Sequence, residues 1–391
     1  MSHPRTPPAL VTLILLAGLS PLSLNMFMPS LVNMAVSLET DYATISLVVS
    51  ASLAVTAVIQ LIVGPLSDRI GRRPVLVGAM ALFALASVGC YLAQDVTTFL
   101  IARILQGGVT AGYTLSMAIV RDTRSPGEAQ SLIGYIGMSM AIAPIIGPVA
   151  GGMMDAAFGW RMIFAFYAVA GFGLFALCWF DLGETRAAGQ SPPLAQALEL
   201  LRAPAFWAFA LCGAFSVGAF YIFLAGAPLV AGQIFGISTA TLGVYIGSIT
   251  MGFMAGGFFA GRFGRAFTPA RLMLIGRVIA CTGLTAGLIV LSTGVREPLY
   301  YFAATICVGL GNGITTPGST TGAMSVRPEL SGSAAGVAGA LIIAGGAVLT
   351  AITGQLVQVE GGEWTLLALM LGASFAGLLL ALWAGRLSRE R

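Results

Sequence analysis

The chain has 391 residues, of which 57% are hydrophobic and only 9% are charged, and its net charge is +4 at pH 7. Soluble domains carry roughly 25% charged residues, so this composition excludes a water-soluble globular protein and predicts one whose solvent is mostly lipid. The charge is also too small and too dispersed for nucleic-acid binding. The single histidine, His3, lies in the N-terminal tail, which argues against histidine-dependent catalysis and zinc chemistry.

A helix needs about 20 apolar residues to cross a bilayer, and twelve stretches of the chain meet this requirement. The predicted spans cover residues 9–35, 43–66, 75–93, 97–120, 129–153, 160–180, 204–230, 238–260, 270–292, 298–324, 332–357 and 364–385. The sequence therefore predicts an all-α membrane protein with twelve transmembrane helices.

One connection between the predicted spans is much longer than the others. Residues 183–203 are polar, include two consecutive prolines, and separate the spans into two sets of six. We therefore predict an N-terminal six-helix bundle at 1–182, a cytoplasmic linker at 183–203 and a C-terminal six-helix bundle at 204–391. Within the linker, residues 194–202 have the pattern of a short amphipathic helix on the membrane surface.

The arginines predict the orientation, because cytoplasmic loops of membrane proteins carry an excess of basic residues. With both termini in the cytoplasm, the outer loops hold only Arg161 and Arg296, and Arg103 lies inside span four. The cytoplasmic segments then hold Arg5, Arg69, Arg72, Arg73, Arg121, Arg124, Arg186, Arg202, Arg262, Arg265, Arg271, Arg277, Arg327, Arg386, Arg389 and Arg391. We therefore expect both termini to be cytoplasmic.

An internal repeat relates the loop after span two, residues 64–76, to the loop after span eight, residues 257–267. The matched residues are Gly64 with Gly257, Arg69 with Arg262, Gly71 with Gly264, and Arg72 with Arg265. Two similar halves imply two packed bundles with a central cavity between them, near the middle of the membrane.

The loop at 64–76, GPLSDRIGRRPVL, also predicts a gate. Its glycines permit a tight turn, and Asp68 places a carboxylate between them. Arg69 and Arg72 supply cations, and Asp122, at the cytoplasmic end of span four, is a natural partner for Arg72. We expect this charge cluster to hold the cytoplasmic side closed and to loosen when a carboxylate is protonated.

Several segments resemble the major facilitator superfamily, and in particular its drug:proton antiporters with twelve spans. The loop at 64–76 is similar to the superfamily signature, RILQGGVTAGYTLSMAIVRD (103–122) to the span-four signature and APIIGPVAGGMM (143–154) to the span-five antiporter signature. Residues 21–31 and 221–238 resemble the bicyclomycin/chloramphenicol-resistance branch, Bcr/CflA. The resemblance implies the major facilitator fold, alternating access, drug export driven by proton entry, a bacterial inner membrane and a monomer.

Span five carries the residues expected to act as a conformational hinge. Small residues let helices approach and slide, and prolines interrupt the hydrogen-bond ladder of a helix. The predicted hinge consists of Pro144, Gly147, Pro148, Gly151 and Gly152.

Polar residues inside predicted spans are candidates for the substrate cavity, because burying them in lipid is costly. Arg103 sits about two turns into span four, amide side chains could supply hydrogen bonds, and aromatic side chains could supply flat apolar walls. The predicted cavity residues are Asn25, Gln60, Arg103, Tyr113, Tyr135, Tyr221 and Asn312. An arginine reaching the interface, or amides that bridge helices, would explain the same residues without a substrate.

One residue departs from the branch that the chain resembles. That branch typically carries an acid in span one where this chain has Asn25, which cannot bind and release a proton. The predicted boundaries place every carboxylate at a membrane edge, with Asp155 and Glu363 in outer loops. We therefore expect any proton coupling to run through Asp68 and Asp122, and an unpaired Arg103 to favour neutral, electronegative or anionic substrates.

The leading hypothesis is a secondary active transporter that exports small, largely apolar drugs or metabolites by alternating access, with proton antiport as its energy source. A dedicated metabolite transporter and an uncoupled facilitator are the alternatives, and an intramembrane enzyme is a remote one. The sequence predicts no catalytic residue, metal site, cofactor or nucleic-acid partner. The expected partners are an antibiotic-like small molecule, protons and the lipid bilayer.

Overall fold

The computed structural model describes residues 8–124, 126–185, 200–327 and 330–387. Within these ranges the chain is helical, with short connections and no strand, which confirms the all-α prediction. The predicted surface helix at 194–202 lies mostly outside the described residues.

Twelve helical segments follow one another in the described ranges, and we number them α1 to α12. The first six are α1 (Leu10–Asn25, continued by Met28–Ser30 and Leu31–Ser37), α2 (Tyr42–Ile70), α3 (Arg72–Leu92), α4 (Val96–Gln106, Gly107–Val109 and Thr110–Thr123), α5 (Pro126–Phe158) and α6 (Arg161–Asp181). The last six are α7 (Pro204–Leu229, continued by Val230–Ile234), α8 (Thr239–Phe263), α9 (Pro269–Ser292), α10 (Pro298–Ser325), α11 (Ser331–Leu356) and α12 (Gly362–Leu387). They coincide with the twelve predicted spans, apart from shifts at their edges.

Nine helices in the described part of the chain are long and apolar enough to cross a membrane. The other three are α4, α5 and α10, and α5 contributes the shorter apolar segment Ile142–Phe158. Three helices change their winding: α1 at Met28–Ser30, where Pro29 has no N–H to donate, α4 at Gly107–Val109, and α7 at Val230–Ile234.

The short connections divide between two faces of the bundle. The odd face carries the connections that follow α1, α3, α5, α7, α9 and α11; the even face carries those that follow α2, α4, α8 and α10. The arginine distribution predicts that the even face is cytoplasmic. The main contacts between the N-terminal half (α1–α6) and the C-terminal half (α7–α12) are made by α5 with α8 and by α2 with α11.

The two halves are in contact near the odd face and apart near the even face. A Cβ atom added to Gly243 of α8 would overlap the carbonyl oxygen of Pro148 in α5, and one added to Gly354 of α11 would overlap the hydroxyl of Ser46 in α2. A Cβ atom on Gly64 of α2 or on Gly336 of α11, both towards the even face, would meet nothing within 4 Å. Among the described residues, these close approaches of the two halves lie near the odd face, and we refer to this arrangement as closed at the odd face and open at the even face.

Three charged residues that the sequence assigned to loops lie inside helices. Arg277 is fully buried in α9, because it is more than two turns beyond the helix start at Pro269. Asp155 is buried in α5, which continues to Phe158, and Glu363 is buried in the first turn of α12. The predicted loop positions of Asp155 and Glu363 were wrong because hydropathy places the edges of a span only to within a few residues. Arg277 was counted with the cytoplasmic arginines although the predicted span 270–292 already contains it.

Candidate functional site

A cavity of about 130 Å³ lies between the halves and is formed mainly by α1, α2 and α4. Four of the predicted cavity residues line it, and the C-terminal half contributes Tyr221 and Ile343. These four are Gln60, Arg103, Tyr113 and Tyr221. An apolar cavity of roughly 150 Å³ holds one benzene-sized molecule, so this space suits one ring-sized part of a ligand.

Arg103 is the only charged side chain among the residues that line this cavity. Only 3% of its surface is exposed, and its guanidinium lies 4.3 Å from the centre of the Phe27 ring. One Nη donates to Gln106 Oε1 at 2.6 Å and the other to Ser52 Oγ at 3.3 Å. Gln106 in turn donates to Ser87 Oγ at 2.6 Å. Neutral oxygens and an aromatic face thus hold the guanidinium in a fixed position.

Arg103 can still bind an electronegative or anionic group, because its hydrogen-bond partners are neutral. Its Nε has no hydrogen-bond partner, and no carboxylate in the described ranges lies within ion-pair distance of it. A buried cation without a counter-charge is costly, so an electronegative or anionic ligand atom near it would be favoured and a cationic ligand would be repelled. The surrounding hydroxyls of Ser20, Ser23 and Thr56 can add further hydrogen bonds.

Three predicted cavity residues, Asn25, Tyr135 and Asn312, are not among the residues that line this cavity. Asn25 is buried and donates to the carbonyl oxygen of Pro21, one turn earlier in α1. Tyr135 is 52% exposed on α5 and does not line the cavity. Asn312 is buried within the C-terminal half, where it accepts a hydrogen bond from Arg277.

Arg277 and Asn312 form a second polar cluster that the sequence did not predict. Arg277 Nη2 donates to Asn312 Oδ1 at 2.6 Å, and its Nε donates to Thr315 Oγ1 at 3.1 Å. Ser216 donates to the same Asn312 oxygen at 2.8 Å. The cluster joins α7, α9 and α10, and its fully buried guanidinium indicates a role inside the C-terminal half. Its depth in α9 was the available signal, since an arginine so far from a helix end cannot belong to a loop.

The signature loop forms the ion pair that the sequence predicts. Arg72 Nε lies 3.2 Å from Asp122 Oδ2, which connects α3 to α4, and Arg72 also donates to the hydroxyl of Ser67. Gly71 has a φ of +107°, a conformation that glycine adopts readily. The side chain of Asp68 lies outside the part of the chain that the structure describes. Arg69 occupies the last turn of α2.

Glu184 completes this cluster, and the sequence did not single it out. Its carboxylate accepts the backbone N–H of Arg72 at 2.9 Å and so lies at the N-terminus of α3, where the helix dipole favours a negative charge. A Cβ atom on Gly71 would overlap this carboxylate, so packing as well as the positive φ favours glycine at this position.

The predicted hinge residues place α5 between α1 and α8. Gly147 and Gly151 face α1: Cβ atoms there would lie 3.5 Å from the Met26 nitrogen and overlap the Met26 carbonyl oxygen, respectively. Pro148 and Gly152 face α8, where the Thr239 hydroxyl donates to the Gly152 carbonyl oxygen at 3.3 Å.

Pro144 lies one turn closer to the even face, where its carbonyl oxygen accepts a hydrogen bond from Thr250 of α8 at 3.5 Å. The small residues of α5 thus form two packing contacts. One, with α1, lies inside the N-terminal half, and the other, with α8, is the seam between the halves. Their hinge role remains a prediction.

Asp155 follows Gly147 and Gly151 at intervals of four residues, so it lies on the same face of α5. It is 7% exposed and accepts a hydrogen bond of 2.7 Å from the Asn33 amide in α1. The four-residue spacing was a signal in the sequence, but the predicted loop position concealed it. Asp155 is therefore a buried carboxylate next to the seam that closes the odd face.

Comparisons with known proteins agree with this architecture. Residues 13–351 match the sequence profile of the Major Facilitator Superfamily. The chain is 28% identical to multidrug resistance protein D of Escherichia coli (strain K12) over 95% of both chains, and 36% identical to a chloramphenicol resistance protein of Pseudomonas aeruginosa over 54% of this chain and 51% of that one. A bacterial homolog to the human lysosomal transporter Spinster, solved in an inward-facing and occupied conformation, has the same fold, with a TM-score of 0.80 and 16% identity over 96% of each chain.

Proposed function

The chain belongs to the Major Facilitator Superfamily, and on that basis we propose that it exports small, largely apolar molecules by alternating access, with protons as the counter-ions. It is a multi-pass membrane transporter and not an enzyme, as its transporter relatives indicate. The substrate class, the direction of transport and the coupling are the proposed parts.

The proposed substrate class is based on Arg103, whose buried guanidinium lies at the wall of the cavity with neutral partners. It selects ligands with an electronegative or anionic group next to an apolar ring, and it disfavours cations. A relative named for chloramphenicol resistance supports this class, since a phenicol combines an aromatic ring with electronegative substituents.

The closed odd face and the open even face support alternating access. If the even face is cytoplasmic, as the arginines predict, the cavity faces the cytoplasm and is ready to load a molecule for export. Breaking the contacts of α5 with α8 and of α2 with α11 near the odd face would open the cavity to the outside. In this proposal the cluster of Asp68, Arg72 and Asp122 then holds the even face closed.

A growth-inhibition panel tests the proposal in a bacterial host that lacks its own pumps. The panel compares wild type, Arg103→Gln, Asp68→Asn and empty vector against phenicols, bicyclomycin, quinolones, organic acids and cationic dyes. We expect wild type to protect against neutral or anionic compounds, Arg103→Gln and Asp68→Asn to lose that protection, and a protonophore to abolish it. Arg386→Gln, at the exposed end of α12, is the matched control for the loss of one arginine and should protect like wild type.

Stronger protection against cationic dyes than against phenicols would contradict the proposed substrate class. Protection against a single compound would favour a dedicated metabolite transporter. Protection that survives both Asp68→Asn and the protonophore would favour an uncoupled facilitator, an alternative that Asn25 supports because it replaces the proton-binding acid typical of span one.

A further inference from the structure

We propose that Asp155 is a proton-binding site of the odd-face gate, loaded through the crevice at that face when the gate closes. This inference goes beyond the proposed function: it makes the odd-face gate sensitive to the pH at that face through a carboxylate outside the signature loop. Its basis is the burial of Asp155, its neutral surroundings and its position beside the seam between the halves.

Asp155 forms no ion pair with any residue in the described ranges. Its polar neighbours on α1 are the Asn33 amide, at 2.7 Å, and the Ser30 hydroxyl, and both are neutral. Arg161, the next cation along the chain, donates instead to Ser37 Oγ and to the Ala93 carbonyl oxygen. α8 brings Thr239, which is neutral, against the preceding turn of α5 at Gly152. A carboxylate buried in this way is far less costly in its neutral form than as an anion.

A path for the proton leads from the odd face to Asp155. A crevice of about 450 Å³ lies between the halves and is lined by Asn33 and Pro29 from α1 and by Gln233, Ser238 and Thr239 from the C-terminal half. Asn33 is the residue whose amide holds Asp155. Water in this crevice is therefore separated from Asp155 by a single side chain, on the side from which an exporter's proton enters.

The opening of the gate couples this site to the conformation of the protein. Near Asp155 the seam consists of Thr239 and Gly243 of α8 against Gly152 and Pro148 of α5. Separation of these residues would bring water to the end of α5 and allow Asp155 to ionise. The closed state thus holds one more proton than the open state, so a rise in pH favours opening. For a single proton the ratio of open to closed molecules changes by at most about tenfold per pH unit.

A distance titration tests this inference without any substrate. Spin labels at Val36 and Val359, both exposed near the odd face and one in each half, report the opening of that face in nanodiscs. We expect the wild type to shift towards open distances as pH rises and Asp155→Asn, which mimics the neutral form, to stay closed throughout. Glu297→Gln removes an exposed carboxylate from the same face and should titrate like wild type.

A second variant keeps the test decisive. Asn33→Ala removes the donor that stabilises ionised Asp155, so the midpoint should move to higher pH. An infrared carboxyl band that titrates with the distance in wild type should be missing from Asp155→Asn. If Asp155→Asn keeps the wild-type pH response of the distance, the inference is wrong, even if the growth panel shows export. If the distance titrates as expected while no compound is exported, the proposed function fails and the proton site stands.

Discussion

Gly243→Ala should shift the protein from the closed to the open odd face. The added Cβ would overlap the Pro148 carbonyl oxygen and lie 2.8 Å from the Pro148 carbonyl carbon and 3.0 Å from the Val149 Cα. All three are backbone atoms and cannot rotate away, so α5 and α8 must separate. Overpacking of this kind costs about 1–3 kcal/mol, which corresponds to a roughly 5- to 150-fold change in the ratio of closed to open molecules.

The assay is the distance between spin labels at Val36 and Val359, measured in a cysteine-free background at fixed pH. Gly256→Ala is the matched control in the same helix: its Cβ would overlap the Leu310 carbonyl oxygen of α10, which belongs to the same half. We expect Gly256→Ala to lower thermal stability and leave the distance unchanged, and Gly243→Ala to populate the longer distance. Equal distances in Gly243→Ala and wild type would refute the packing argument for the odd-face gate.

Three further predictions concern Arg103, Glu184 and the pair of Arg277 and Asn312. Arg103→Lys should retain discrimination against cations but weaken protection against phenicols in the growth panel, because an ammonium cannot reproduce the planar contacts with Gln106 and Ser52. Glu184→Gln should lower the thermal stability of the purified protein by about 0.3–1 kcal/mol in free energy, since the α3 dipole loses its negative partner. Asn312→Leu, which leaves the Arg277 guanidinium without its amide acceptor, should destabilise the protein by about 1.5–3 kcal/mol in chemical unfolding, whereas Arg277→Met, which removes the buried charge itself, should cost less. Equal destabilisation by Asn312→Leu and Arg277→Met would contradict the last prediction.

The sequence predicted features that depend on neighbouring segments. The pair of Arg72 and Asp122 follows from a loop and a helix end that meet at the same membrane edge, and it is present. A charged residue deep inside a span predicts a position at the cavity, and Arg103 lines the cavity.

The sequence did not predict which side chains of different helices are in contact, nor where each helix ends. Asn312 satisfies a polar requirement inside the C-terminal half instead of lining the cavity, because Arg277 reaches it from α9. Asp155 was assigned to a loop because the apolar run ends before it, although α5 continues to Phe158. Helix continuation beyond an apolar run depends on packing against other helices, and hydropathy does not report that packing.

Transport in proteoliposomes tests the central claim most directly. Purified protein would be reconstituted with a radiolabelled phenicol, and a proton gradient would be imposed across the membrane. The account predicts that the phenicol accumulates on the acidic side, against its own gradient, and that Arg103→Gln abolishes this accumulation while Arg386→Gln does not. Equilibration of the phenicol without accumulation, or accumulation that is independent of Arg103, would contradict it.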